Sequence, residues 1–364
     1  MNFLKNILRR KEERIDMNAE FWKWFQKNEK SFYSAVKNNK NIEEDFFDPL
    51  SEKLNKIKDG FYFLTGMYND NTAELIFTPD GNIKNIIFVE ELVATAPTIS
   101  GWIFTALKPE SDIKNVAINM ANYRFDENTL FFYSNEIDNY PDEIDITIIH
   151  KDYNEADASA IINGTYIFLD NFLGELNSVT TIDNLTVAGI KNAEKELIPI
   201  VKLKDFLIWR QKEFVEKYEG VLQNTDNANF SILEAELKSG NKLIATINTD
   251  ILNWDKKASH PWIVCLEIKF GGEESNGMPD NNTYQKLNEI EDIVLEELKD
   301  YDGYLNIGRQ TADGIREVYF ACKEFRKPSK VIHEFKLRNS ERFVVSYSIY
   351  KDKYWKSFDR FRQN

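Results

Sequence analysis

Cysteine is nearly absent from this chain, two residues in 364, and histidine amounts to three residues, none with a second His or Cys at metal-ligand spacing. So few cysteines exclude a disulfide scaffold. The isolated histidines, His150, His260 and His333, give no zinc signature, and no metal or cofactor is expected. No Gly-x-Gly-x-x-Gly, phosphate-binding loop or Gly-x-Ser-x-Gly elbow occurs, so the familiar nucleotide and hydrolase motifs are missing. Positive charge is also in deficit: 46 Lys+Arg against 60 Asp+Glu leave a formal charge of −14. That balance argues against nucleic acid as a partner, since affinity for a phosphate backbone comes from Lys and Arg displacing counterions, and against an anionic membrane surface. The longest uncharged run, Leu92 to Leu107, is interrupted by Pro97 and Gly101 and is too short to cross a bilayer. The N-terminal residues are basic but lack the apolar stretch of a secretory signal, so a cytoplasmic protein is expected.

What remains is a chain with 42% hydrophobic residues and length enough for about two domains. The N-terminal half reads as mixed α+β. Phe21, Trp22, Phe25, Phe32 and Val36 recur at helical spacing, and a second helix spans Ile42 to Lys58. Strands follow at Phe61–Tyr68 and Thr72–Thr78, a helix from Ile83 to Ala96, strands near Trp102, Thr129 and Ile144, and helices over Asn154–Glu175 and Leu203–Tyr218. Without a regular strand–helix alternation, the sheets are expected to be antiparallel. The polar stretch Gly220–Asn229 marks a boundary. The expected divisions are an extension at 1–17, an N-terminal domain at 18–220, a linker at 221–229 and a C-terminal domain at 230–364.

The C-terminal half opens with a hairpin, Phe230–Leu237 and Leu243–Asn248, and continues strand–helix–strand–strand–helix–strand from Trp262 to Tyr350. That order is the ferredoxin-like split unit, giving an α+β chain whose second domain is ferredoxin-like with an added N-terminal hairpin. A two-residue turn at Asp313-Gly314 places Leu305, Ile307 and Arg309 on one face with Val318, Phe320 and Cys322. The opposite face, left open, then carries Ile263, Cys265, Glu267, Glu317, Tyr319 and Ala321. One aromatic beside two carboxylates does not make an RNA-reading sheet. Cys265 and Cys322, on opposite faces, are expected to remain reduced.

Carboxylates are abundant, at Glu43–Asp45, Glu90-Glu91, Glu273-Glu274 and along the helix through Glu289, Glu291, Asp292, Glu296 and Glu297. Such runs read as solvated faces, since catalytic pairs need burial to separate their pKa values. The loop Gly271–Asp280 lacks the spaced ladder of a calcium loop. The polar cluster that stands out is Arg309 with Thr311, Arg316 and Glu317, joined as binding candidates by His260 and Tyr319. The two arginines sit toward one end of one face, where they either hold an anion or pair with carboxylates of the domain; the second reading is preferred.

His260-Pro261-Trp262-Ile263-Val264, the helix Leu287–Leu298, Gly308-Arg309-x-Thr311 and Arg316-Glu317-x-Tyr319-Phe320 resemble the domain of unknown function 695 family. The N-terminal half is similar to the segment that often precedes that domain, through Phe21-Trp22-x-Trp24-Phe25, Ala96-Pro97-x-x-x-Gly101-Trp102 and Leu169-Asp170-Asn171-x-Leu173-Gly174-Glu175. More distantly, in topology and acidity, the C-terminal unit resembles the regulator of ribonuclease activity B, which implies a role in binding another protein. The expectation is a non-catalytic regulatory protein whose acidic surface masks a basic partner, such as a nuclease or toxin. The alternative is an enzyme or small-ligand binder with its site in an interdomain cleft near Arg309, Arg316 and His260.

Overall fold

A computed structural model describes residues 2–225, 228–272, 275–340 and 342–362. Helices and strands are intermixed along the chain, the α+β class that the sequence predicts. Two compact units emerge, one from Met1–Thr129 with Asn154–Val179 and the other from Leu130–Tyr153 with Thr180–Asn364. The polar stretch at 221–229 lies inside the second unit, with residues 226 and 227 outside the described residues.

The first unit contains α1 (Asn2–Asn38), a π-helical turn leading into α2 (Asp48–Ile57), β1 (Tyr62–Asn69), β2 (Thr72–Thr78), α3 (Ile83–Ala94), β3 (Trp102–Ala106), the short pair β4 (Ile118–Met120) and β5 (Tyr123–Phe125), α4 (Ala158–Leu173) and the start of α5 (Glu175–Thr181). The aromatic stripe of α1 is core. Trp22 meets Phe104 edge-on at 4.6 Å and Phe25 meets Trp102 at 5.1 Å, while Trp22 Nε1 donates to the Leu92 carbonyl at 2.9 Å. β1 pairs antiparallel with β2, but β2 and β3 are parallel. The antiparallel expectation fails here because α3 returns the chain across the sheet, as a parallel neighbour requires.

The motif ending in Glu175 is structural. Glu175 is wholly buried, and its carboxylate accepts from Thr78 Oγ1 at 2.7 Å, the Gly81 amide at 2.7 Å and the Lys108 amide at 3.1 Å. It thereby fixes the ends of β2 and β3. Lys108 Nζ bridges Asp80 and Asp170, each at 2.8 Å.

The second unit holds two sheets. β6 (Leu130–Asn135), β7 (Asp145–His150), β8 (Asn184–Gly189) and β9 (Ile198–Pro199) are ordered β8-β7-β6-β9, with β7 and β8 parallel, again against expectation. α6 (Leu203–Tyr218) sets Phe206 against Phe132 at 5.8 Å. The larger sheet comprises β10 (Phe230–Glu236), β11 (Lys242–Asn248), β12 (Trp262–Lys269), β13 (Tyr304–Ala312), β14 (Ile315–Cys322) and β15 (Val344–Lys351), in the order β10-β11-β13-β14-β12-β15 and antiparallel throughout. α7 (Asn281–Glu297) follows β12 and α8 (Arg326–Asn339) follows β14.

The face of this sheet expected to be open is covered. Beyond β15 the chain turns back through Lys356–Phe361, and Trp355, Phe358 and Phe361 pack with Ile263, Cys265, Leu305, Tyr319 and Ala321 in one buried cluster. The sequence stretch Trp355–Phe361 has no regular strand or long-helix period, so its role as a cover has no periodic signal in the sequence. Lysines then tie β15 and its continuation to the smaller sheet. Lys351 and Lys353 each reach Asp183 at 2.7 Å, and Lys356 reaches Glu143 at 2.7 Å.

Candidate functional site

β13 and β14 form the predicted hairpin, with Ala312 opposite Ile315 and Asp313-Gly314 between them in left-handed conformation. Near the turn the pairs are Thr311 with Arg316 and Arg309 with Val318, and these residues face α7. Arg309 Nη1 contacts Glu291 Oε2 at 2.6 Å. Arg316, only 1% exposed, donates from Nη1 to Asn288 Oδ1 at 2.8 Å and from Nε to Thr311 Oγ1 at 3.3 Å, with Glu291 at 3.9 Å and the Tyr284 ring at 5.1 Å. Burial, with the neighbouring Arg309 adding, brings Arg316 down to about 10, so the guanidinium stays charged at neutral pH. Arg309, Thr311 and Arg316 thus converge, but on groups of α7.

Glu317 and Tyr319 are on the other face. A bulge between Asn306 and Gly308 inserts Ile307 and shifts the register, so Leu305 pairs with Ala321 and lies with Ile307 opposite to Arg309's face. This corrects the expected grouping of Leu305 and Ile307 with Arg309. Gly308 permits the bulge: its φ is +131°, and a Cβ there would meet the Thr246 carbonyl oxygen at 2.2 Å.

Behind the bulge, Glu317 Oε2 accepts from Gln310 Nε2 at 2.5 Å and Tyr319 OH at 2.9 Å, and Arg360 Nη2 donates to Tyr319 OH at 3.0 Å. Glu267 stands opposite Glu317 and accepts from Ser346 Oγ at 2.8 Å. Cys265, Glu267 and Glu317 offer ligand atoms within 4.8 Å of one another, the one such metal-capable trio among the described residues. Burial first, then the two carboxylates, push the Cys265 thiol up, and burial with Glu317 does the same to the Tyr319 phenol. Both stay protonated at neutral pH, so Cys265 is not a ready nucleophile. Cys322 is also a buried free thiol, held high by burial.

His260 belongs to neither cluster. It is fully buried, with Nδ1 2.8 Å from Ser259 Oγ and its ring 5.5 Å from that of Trp254. Burial, reinforced by Lys323, drives it down to about 3, so it is neutral. It precedes Trp262, which pairs with Cys322 at one end of the sheet, whereas Arg316 pairs with Ile268. Six strand residues separate those ends, about 20 Å. His260 therefore does not join Arg309 and Arg316 in one site.

Several participants escaped the sequence reading. Glu291 reads by sequence as part of a solvated acidic face, but it follows Ile290 and lies four residues after Leu287, at the margin of the buried stripe, and is itself buried. Asn288 and Tyr284 lie one and two turns earlier, a spacing that marks one helix side. Arg360 carried no local signal. In the loop after β12, Glu273 and Glu274 lie outside the described residues. The Gly277 carbonyl accepts from the Gly314 amide at 2.9 Å, so this part of the loop buttresses the β13–β14 turn.

Residues 237–361 match the model of a family of unknown function (DUF695), the family that the C-terminal motifs resemble. No curated protein and no solved structure matches the chain.

Proposed function

We propose that this chain is a non-catalytic protein-binding regulator of the bacterial cytoplasm that docks a basic partner through its acidic surface. The supporting observation is the engagement of Arg309 by Glu291 at 2.6 Å, with Arg316 held by Asn288 and Thr311. Guanidinium groups reserved for a substrate anion would point into open space; these are consumed by α7. With a formal charge of −14, long-range attraction favours basic proteins and accelerates their docking.

The test is a pull-down with the tagged full-length chain from its native host at low and high salt, beside a charge-matched acidic control protein. A stoichiometric basic partner, released at high salt and absent from the control, is the expected result. Capture of nothing beyond what the control captures overturns the reading.

A further inference from the structure

β1 forms one edge of its sheet, which is ordered β1-β2-β3. Its pairing with β2 is regular from Tyr62–Thr78 to Met67–Ala73. Phe63 faces inward, edge-on to Phe46 at 6.2 Å and to Phe47 at 5.6 Å. The alternate residues face solvent: Tyr62 is 56% exposed, Leu64 is 49% exposed, and Gly66 is exposed with them. Among the described residues, the backbone of Tyr62–Asn69 hydrogen-bonds to β2 and to no other segment. Edge strands usually carry charge, proline or a bulge that keeps other strands away. β10, an edge of the larger sheet, follows that rule with Glu234 and Glu236. β1 has neither charge nor proline, and its register shift comes only after Met67.

Gly66 sharpens the contrast. Glycine in a strand interior weakens the strand and marks a place where a ligand or another backbone comes close. Its φ is not positive, and a Cβ there would meet nothing within 4 Å. Nothing among the described residues therefore requires glycine at this position, which leaves an open notch on the same face as Leu64.

We propose that β1 pairs antiparallel with β1 of a second copy of this chain, about a two-fold axis at Thr65, so that the two sheets become one. Opposite residues of an antiparallel pair share a face, so this arrangement keeps the helix-covered faces of both copies on one side. In that register Thr65 meets Thr65, a favourable cross-strand pair, and Phe63 meets Met67. Leu64 seats over the Gly66 notch of the other copy, and the contact occurs twice, as an isologous interface requires. No charged side chain opposes another. A neutral strand has nothing with which to select a basic or an acidic partner, and a segment that fits it residue by residue is its own copy. This self-association is separate from the docking of a basic partner, and salt distinguishes the two. With a formal charge of −14 on each copy, screening strengthens the dimer and weakens the hold on a basic protein.

The test is sedimentation velocity of the full-length chain over a wide range of concentration, with urea denaturation at low concentration to read the stability of the single copy. The variants are Gly66→Val, Leu64→Lys and Leu64→Glu. Gly66→Val puts a better strand former into open space, so the urea midpoint rises, while the filled notch displaces Leu64 of the other copy and weakens self-association by about tenfold. A glycine with a purely structural role would not move the two readouts in opposite directions. Leu64→Lys and Leu64→Glu each weaken self-association too. The two Leu64 positions lie diagonally across the two-fold axis, so an equimolar mixture of these variants associates more tightly than either alone. Amide exchange of Tyr62–Asn69 slows as the chain is concentrated, and that of Phe230–Glu236 does not. A single copy at every concentration overturns the proposal, as does a dimer that Gly66→Val leaves intact. Variants that weaken a dimer in which the β1 amides gain no protection also overturn it, since the outer faces of the two sheets are then stacked rather than their edges joined.

Discussion

Glu267 and Glu317 face each other directly across β12 and β14, and the hydrogen bonds to their carboxylates come from the neutral groups of Ser346, Gln310, Tyr319 and the Cys265 thiol. Neither carboxylate has a Lys or Arg ion pair among the described residues. Like charges directly opposite on antiparallel strands oppose pairing by roughly 0.2–1 kcal/mol.

Glu267→Gln is therefore expected to raise stability by about 0.5 kcal/mol at neutral pH, seen as a higher urea midpoint with an unchanged slope. Glu317→Ala acts in the opposite direction, since Gln310, Tyr319 and Cys265 lose their acceptor, at a cost of about 1–3 kcal/mol. A cation seated between the two carboxylates, with Cys265 as third ligand, would reverse the first sign. A lower midpoint for Glu267→Gln, restored when divalent metal is removed from both proteins, contradicts the repulsive pair.

Burial of neutral His260 makes folding sensitive to acid. Its folded-state value of about 3 lies below the ordinary histidine value of 6.5. Between those limits the unfolded chain binds a proton that the folded chain refuses, so stability falls on acidification from about pH 6.5 toward pH 3. The slope from this single group reaches about 1.4 kcal/mol per pH unit. Above pH 6.5 both states are neutral and the group contributes no pH dependence. His260→Phe removes that slope, so urea titrations at a series of pH values should show the two proteins diverging below pH 6.5 and running parallel above it. Curves that remain parallel throughout refute the assignment.

Much of this architecture was legible because the period of the apolar residues is local information. The stripe Leu287, Ile290, Val294 and Leu298 marks α7, and Asp313-Gly314 marks the hairpin that brings Thr311 to Arg316. What escaped depends on the approach of distant segments. Gly308 reads as an ordinary strand glycine until β11 comes against it, and the resulting bulge decides which face Leu305 and Ile307 occupy. Parallel pairing of β2 with β3 follows from how α3 crosses the sheet, which spacing does not encode. Charge alone marks Glu291 as solvated; its burial follows from Arg309, contributed by a strand that begins seven residues after α7 ends.

The aromatic cover at the C-terminus separates the two cysteines chemically. Cys265 lies under Trp355, Phe358 and Phe361, while Cys322 pairs with Trp262 on the opposite face. Tyr319 joins the cover, with its ring 5.3 Å from Phe358 and 6.1 Å from Phe361. Phe361 is 4% exposed, and Phe361→Ala at such a site costs about 3 kcal/mol in lost burial and residual cavity. Because the segment is a short 3-10 turn, this loss loosens the cover before the sheet itself opens. Thiol labelling in native buffer, read by mass spectrometry, should then find Cys265 modified well ahead of Cys322 in Phe361→Ala and neither modified readily in the unmodified chain. Labelling of both cysteines at one rate would mean that the cover and the sheet unfold together, and that Trp355–Phe361 belongs to the same cooperative core as β12 and β14.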